Sequence, residues 1–62
     1  MNNQFIRIKN LRGEMMLVNV KHIISIRPVK EVYHVSLTDF GFDISQTEYN
    51  FLIETLEAKN LI

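Results

Sequence analysis

The chain has no cysteine and no tryptophan, a single proline, Pro28, and two glycines, Gly13 and Gly41. Without cysteine there is no disulfide framework and no thiolate for zinc, and His22 and His34 are the only imidazoles left as ligands. No metal or other cofactor is therefore expected. No run approaches the ~18 apolar residues of a membrane span, and Met1-Asn2-Asn3-Gln4-Phe5 is not a basic segment leading into an apolar one. The expected location is the cytoplasm, with no membrane insertion. Sixty-two residues exclude a second domain. So short a chain buries only roughly 60% of the surface its unfolded form exposes, which makes self-association the obvious further source of stability.

What is present is enough to fold: 47% of residues are hydrophobic and 23% charged, well away from the composition of disordered chains. Gln4 to Lys9 alternates, with Ile6 and Ile8 on one side and Phe5, Arg7 and Lys9 on the other, the period-two pattern of a strand with one buried face. Asn10-Leu11-Arg12-Gly13-Glu14 supplies a turn in which Gly13 takes positive φ, and Met15 to Val18 returns antiparallel as the second arm of a hairpin. Met15 and Leu17 face opposite to Met16 and Val18, so this second strand is apolar on both sides and is expected to be central or covered. Asn19 can cap a single helical turn before the β-branched run Ile23 to Arg27, and Pro28 limits that third strand because it cannot donate to a ladder. Val32 to Leu37 alternates again. Asp39 and Gly41 mark a turn, with Asp39 bonding its own backbone and Gly41 supplying an open conformation, before the short strand Phe42-Asp43-Ile44.

Ser45-Gln46-Thr47-Glu48 matches a capping box, in which the Ser45 hydroxyl accepts from the Glu48 amide and the Glu48 carboxylate reaches back to the Ser45 amide. Ile44 and Tyr49 suit the accompanying hydrophobic staple. Tyr49, Leu52, Ile53 and Leu56 then recur at i, i+3, i+4 and i+7, the stripe that faces a core, and Asn60 suits a left-handed end. The expected fold is α+β, mostly β: a small bent antiparallel sheet of four to five strands with one C-terminal helix packed on one face. Its strands fall at about residues 4–10, 15–19, 23–29, 32–37 and 42–44, and its helix at about 46–59.

The helix carries a second apolar line, Phe51, Thr55, Ala58 and Ile62, on the side away from the Tyr49 stripe. A small monomer has little material to cover it, so these four residues are the candidate interface, with Phe51 as an aromatic anchor for a homo-oligomer or a protein partner. The zero net charge hides a dipolar chain. Residues 1–30 hold Arg7, Lys9, Arg12, Lys21, Arg27 and Lys30 against Glu14, a net +5; residues 31–62 hold Lys59 against six carboxylates, a net −5. Either the acidic helix neutralises the basic strands, within one molecule or between subunits packed head to tail, or Arg7, Lys9, Arg12, Lys21 and Arg27 form, beside Phe5, a surface for nucleic acid.

Catalytic chemistry is poorly served. There is no cysteine nucleophile, no Gly-rich phosphate loop and no serine elbow. Asp39 and Asp43 lack the ligand density of a calcium loop, and His34 beside Ser36 on one strand face is proximity without a third, orienting group. The expectation is a non-enzymatic interaction or regulatory module, with nucleic-acid binding as the alternative.

The segments Phe5-Ile6-Arg7-Ile8, Leu11-Arg12-Gly13-Glu14, Leu17-Val18-Asn19 and His22-Ile23-Ile24-Ser25-Ile26 resemble the small FlbD family in order and length over nearly the whole chain. Arg12 stands where that family usually has Asn, and Asp39-Phe40-Gly41 replaces its usual Asn-Gly or Asp-Gly turn. The resemblance implies strand, turn, strand, an Ile-rich strand and a C-terminal helix, in a setting associated with flagella and swarming motility, and it implies no site residues. The same stretch is similar to the C-terminal half of LytTR DNA-binding domains, which implies DNA contact through loops, with Lys9 and Arg12 near the basic loop positions.

Overall fold

The structure is a computed structural model that describes residues 4–61. Its order is β1 (Phe5–Lys9), β2 (Met15–Asn19), a 3-10 turn (Val20–His22), β3 (Ile23–Val29), β4 (Val32–Leu37), β5 (Gly41–Ile44) and α1 (Gln46–Ala58). This is the α+β, mostly β class with a C-terminal helix. The five strands divide into two antiparallel ladders, β1-β2 and β3-β4-β5. Every connection is short, as a meander requires.

The β1-β2 turn is organised by Asn10. Its Oδ1 accepts from the amides of both Arg12 and Glu14, each at 3.0 Å, and Gly13 takes φ +85°. An Asx-type turn of this kind replaces backbone partners that the reversing chain cannot supply. The β3-β4 hairpin closes through Lys30 and Glu31, and Lys30 sits at φ +58°. At the third hairpin the Leu37 amide donates to the Phe40 carbonyl at 2.7 Å. Here the sequence expectation needs correcting. Gly41 lies inside β5 and has no left-handed φ; a Cβ on it would stand 2.6 Å from His34 Nε2, so the residue is small because an imidazole lies over it.

The core is one cluster of Ile6, Ile8, Val18, Val35, Ile44, Leu52 and Leu56, in which Ile8, Val35 and Ile44 are fully buried. Each strand of the first hairpin contributes its inward alternate residues, and α1 contributes Leu52 and Leu56 with Tyr49 packed against them, while Ile53 of the expected stripe is half-buried outside the cluster. Tyr49 in the first turns of α1 stacks on Tyr33 of β4 with ring centroids 3.8 Å apart and planes within 5°. That contact anchors the N-terminal half of the helix to the three-stranded ladder.

The helix start follows half of the capping box. The Glu48 amide donates to Ser45 Oγ at 3.1 Å, but the Glu48 carboxylate turns away from the cap and accepts from the Lys9 amide of β1 at 3.0 Å. An edge amide on β1 without a ladder partner competes for the carboxylate, and the tertiary bond ties the helix to the first ladder. The far end closes as expected, with Asn60 at φ +59° and the Leu61 amide donating to the Leu56 carbonyl at 2.9 Å, which folds Leu61 back onto the core.

Candidate functional site

The two outer edges of the first ladder are treated differently. Hydrogen bonds from Val20 to Gln4 and from Asn10 to Glu14 bracket the β1-β2 register. Alternation in an antiparallel pair then makes Ile6/Val18 and Ile8/Met16 the bonded pairs, and points the main-chain groups of Arg7 and Lys9 off one edge and those of Met15 and Leu17 off the other. The β1 edge is met at its C-terminal end: the Lys9 amide donates to Glu48, and the Leu11 amide donates to the Asp43 carbonyl of β5 at 3.1 Å. On the β2 edge no strand other than β1 pairs with it among the described residues.

The outward face of the same ladder is apolar and cationic together. Phe5, Arg7 and Lys9 of β1 are exposed, and opposite the two cations stand Leu17, 67% exposed, and Met15, 58% exposed. This corrects the expectation that β2 is central or covered. Its inward residues meet the core, while its outward residues and its free edge are open. Beside it lies a groove of about 100 Å³ lined by Leu17 and Asn19 of β2, by His22, and by Leu37, Asp39 and Phe40. That volume falls below the ~300 Å³ of a small-molecule pocket. The groove is held by the Thr38 amide, which donates to the His22 carbonyl at 3.1 Å. The Asp39 side chain makes no hydrogen bond among the described residues, so the expected Asx contact is absent from this turn.

On α1, Phe51 is 62% exposed and Ala58 is exposed, on the side away from Leu52 and Leu56. Thr55 is half-buried, and its hydroxyl donates to the Phe51 carbonyl at 2.9 Å, one turn back. Ile62 lies outside the described residues. Glu54, three residues on from Phe51, and Glu57, next to Ala58, are both exposed, so the open part of the helix carries negative charge beside Phe51 and Ala58. A second apolar depression, about 310 Å³ and shallow, runs between Ile24 and Leu56 with Leu61 beside it. Ile24 is the residue displaced by the register shift between Ile23 and Ser25, which leaves it 66% exposed.

The five basic residues considered for nucleic acid are not brought into one ladder. Arg7 and Lys9 share the outward face of β1; Arg12 is in the following turn, 3.5 Å from Glu14; Lys21 is in the 3-10 turn; Arg27 is in β3, opposite His34. Among the described residues Arg27 has no ladder neighbour on β1, because β3 pairs with β4 alone.

A polar constellation that the linear sequence hid lies on β4 and β5. His34 Nδ1 is 2.7 Å from Asp43 Oδ1, directly across the ladder. The orienting group missing from the His34–Ser36 reading is thus Asp43, nine residues away, and only the hairpin register reveals it. The other ring nitrogen lies over Gly41, and no hydrogen bond joins His34 to Ser36 among the described residues. The arrangement holds an imidazole still without offering it a nucleophile. Also among the described residues, no group of three or more His, Cys, Asp or Glu side chains is placed to hold a metal ion. Among the described residues no helix is long and apolar enough to cross a membrane. Compared with family models, curated proteins and solved structures, the chain has no match in any of the three.

Proposed function

We propose that this chain is a small non-enzymatic protein-interaction module that works through its outward faces rather than through a pocket. The observation that carries the reading is the first hairpin. Its inner residues make the core, while Met15 and Leu17 are held outward beside an open strand edge. Exposed apolar side chains next to unpaired main-chain groups are what strand-addition and sheet-face docking use. Phe51 on α1 supplies a second, separate contact of the aromatic kind that concentrates binding energy. The resemblance to the FlbD family adds a motility-associated setting to this proposal. The experiment is retention of proteins, its own chain included, on immobilised wild type compared with Leu17→Thr and Phe51→Ala. Loss of the same retained species in a folded variant supports the reading, and identical retention by all three contradicts it.

The second reading, nucleic-acid binding, is favoured by one observation: Phe5, Arg7 and Lys9 alternate outward on a single exposed strand face. Anisotropy of labelled duplex DNA and single-stranded RNA at low and physiological salt separates the two. Phosphate contacts weaken steeply with salt, whereas apolar docking does not. Saturable binding lost in Arg7→Ala and Lys9→Ala would favour nucleic acid, and no binding at low salt would retire it.

A further inference from the structure

We propose that the partner of these two faces is a second copy of the chain, bound head to tail: the cationic outward face of β1-β2 of one copy receives the acidic Phe51 face of α1 of the next. The inference rests on the interaction-module reading and gives it an occupant.

Three observations carry it. First, the faces are complementary in charge and alike in apolar content. Arg7 and Lys9 flank Leu17 and Met15 on the ladder, while Glu54 and Glu57 accompany Phe51 and Ala58 on the helix. Second, none of these four charges is satisfied internally. The ion pairs among the described residues are Arg12–Glu14 and His34–Asp43, and neither uses Arg7, Lys9, Glu54 or Glu57 side chains. The segregation of +5 and −5 along the sequence is therefore not cancelled by pairing within the molecule. Third, the dimensions agree. A helix of 13 residues is about 20 Å long at 1.5 Å per residue, and the two-stranded β1-β2 ladder, with five residues in each strand, is about 17 Å long at roughly 3.4 Å per residue.

Both faces point away from the one core, so a copy bound through its helix still presents its sheet. A contact between two different patches is heterologous, and it propagates into a ring or an open chain unless it is blocked. A single helix face on a single ladder is smaller than the ~800 Å² each partner gives to a standard interface. The association is accordingly weak, concentration-dependent and weakened by salt.

The test is sedimentation velocity on the full chain over a wide concentration range at low and high salt, with two double variants. Arg7→Thr with Leu17→Thr removes the sheet face and keeps strand-forming residues; Phe51→Ala with Glu54→Gln removes the helix face and keeps helix-forming ones. All four positions are exposed or outward, and circular dichroism checks that both variants fold. The expected result is a wild-type mass that climbs past dimer as concentration rises at low salt, with the apparent dissociation constant raised at least tenfold in either variant alone. An equimolar mixture of the two variants should then form 1:1 dimers and stop there, because one intact sheet face meets one intact helix face. A monomeric wild type at low salt and high concentration overturns the proposal, as does either variant still dimerising alone, which would mean a symmetric contact. A monomeric wild type whose immobilised form still loses a retained protein on Leu17→Thr sinks this inference but leaves the interaction reading standing. Unchanged retention sinks both.

Discussion

Lys30 shows how one residue can hold strain in the open. It occupies the first position of a two-residue hairpin turn at φ +58°, where a side chain costs about 1–2 kcal/mol and glycine does not. After the entropy that glycine returns to the unfolded chain, Lys30→Gly is expected to stabilise by about 0.5–1 kcal/mol. In a domain of this size that raises Tm by several degrees, roughly 4–8 °C per kcal/mol, and a thermal melt reads it directly. Gly41→Ala acts in the opposite sense. The added Cβ would stand 2.6 Å from His34 Nε2 and 3.0 Å from the Val35 carbonyl oxygen, so the ring must shift, and the proton-detected coupling between the His34 and Asp43 side chains should weaken with a loss of stability. Neither residue could be judged from the sequence. Gly41 reads as a turn glycine because it follows Thr38-Asp39-Phe40, and Lys30 reads as an ordinary surface lysine, since the φ of each is set by a register that only pairing establishes.

Among the elements, α1 was the most legible and its first turn the least. The Tyr49, Leu52, Leu56 part of the stripe and the Ser45 cap follow from local spacing and are found, while Ile53 stays outside the core cluster. The destination of the Glu48 carboxylate does not follow, because the competing donor, the Lys9 amide, lies 39 residues away. Two variants separate the roles. Ser45→Ala removes the cap acceptor and should cost about 1 kcal/mol. Glu48→Ala should also release the Lys9 amide, so hydrogen exchange at Lys9 is expected to quicken in Glu48→Ala and not in Ser45→Ala. Equal exchange in both would show that the carboxylate does not hold β1. The first hairpin is the converse case. Alternation correctly gave Ile6 and Ile8 as inward, but the doubly apolar Met15 to Val18 run suggested a covered strand. What sequence cannot say is whether the second face is covered by the same chain, and here it is not.

For the molecule as a whole, the small core sets the tolerance to change. At roughly 0.05–0.15 kcal/mol per residue, a chain of this length has about 3–9 kcal/mol of stability. Truncating a buried Ile to Ala costs about 2–5 kcal/mol. Ile8→Ala, at a residue with no exposed surface within the core cluster, is therefore expected to unfold most of the population or lower the urea midpoint severely, whereas Leu17→Thr should leave the unfolding free energy within about 0.5 kcal/mol of wild type. That contrast is the argument for function in miniature: large apolar residues that the core does not use stand exposed beside a strand edge and on a helix face. The measurement that tests this most directly is a dilution series of 15N-correlated NMR spectra of the wild-type chain at low salt. The account predicts concentration-dependent shifts confined to Arg7, Lys9, Met15 and Leu17 on one face and to Phe51, Glu54 and Ala58 on the other, with His34 and Asp43 unmoved. Spectra that do not change with concentration, or that change first around His34 and Asp43, would contradict it.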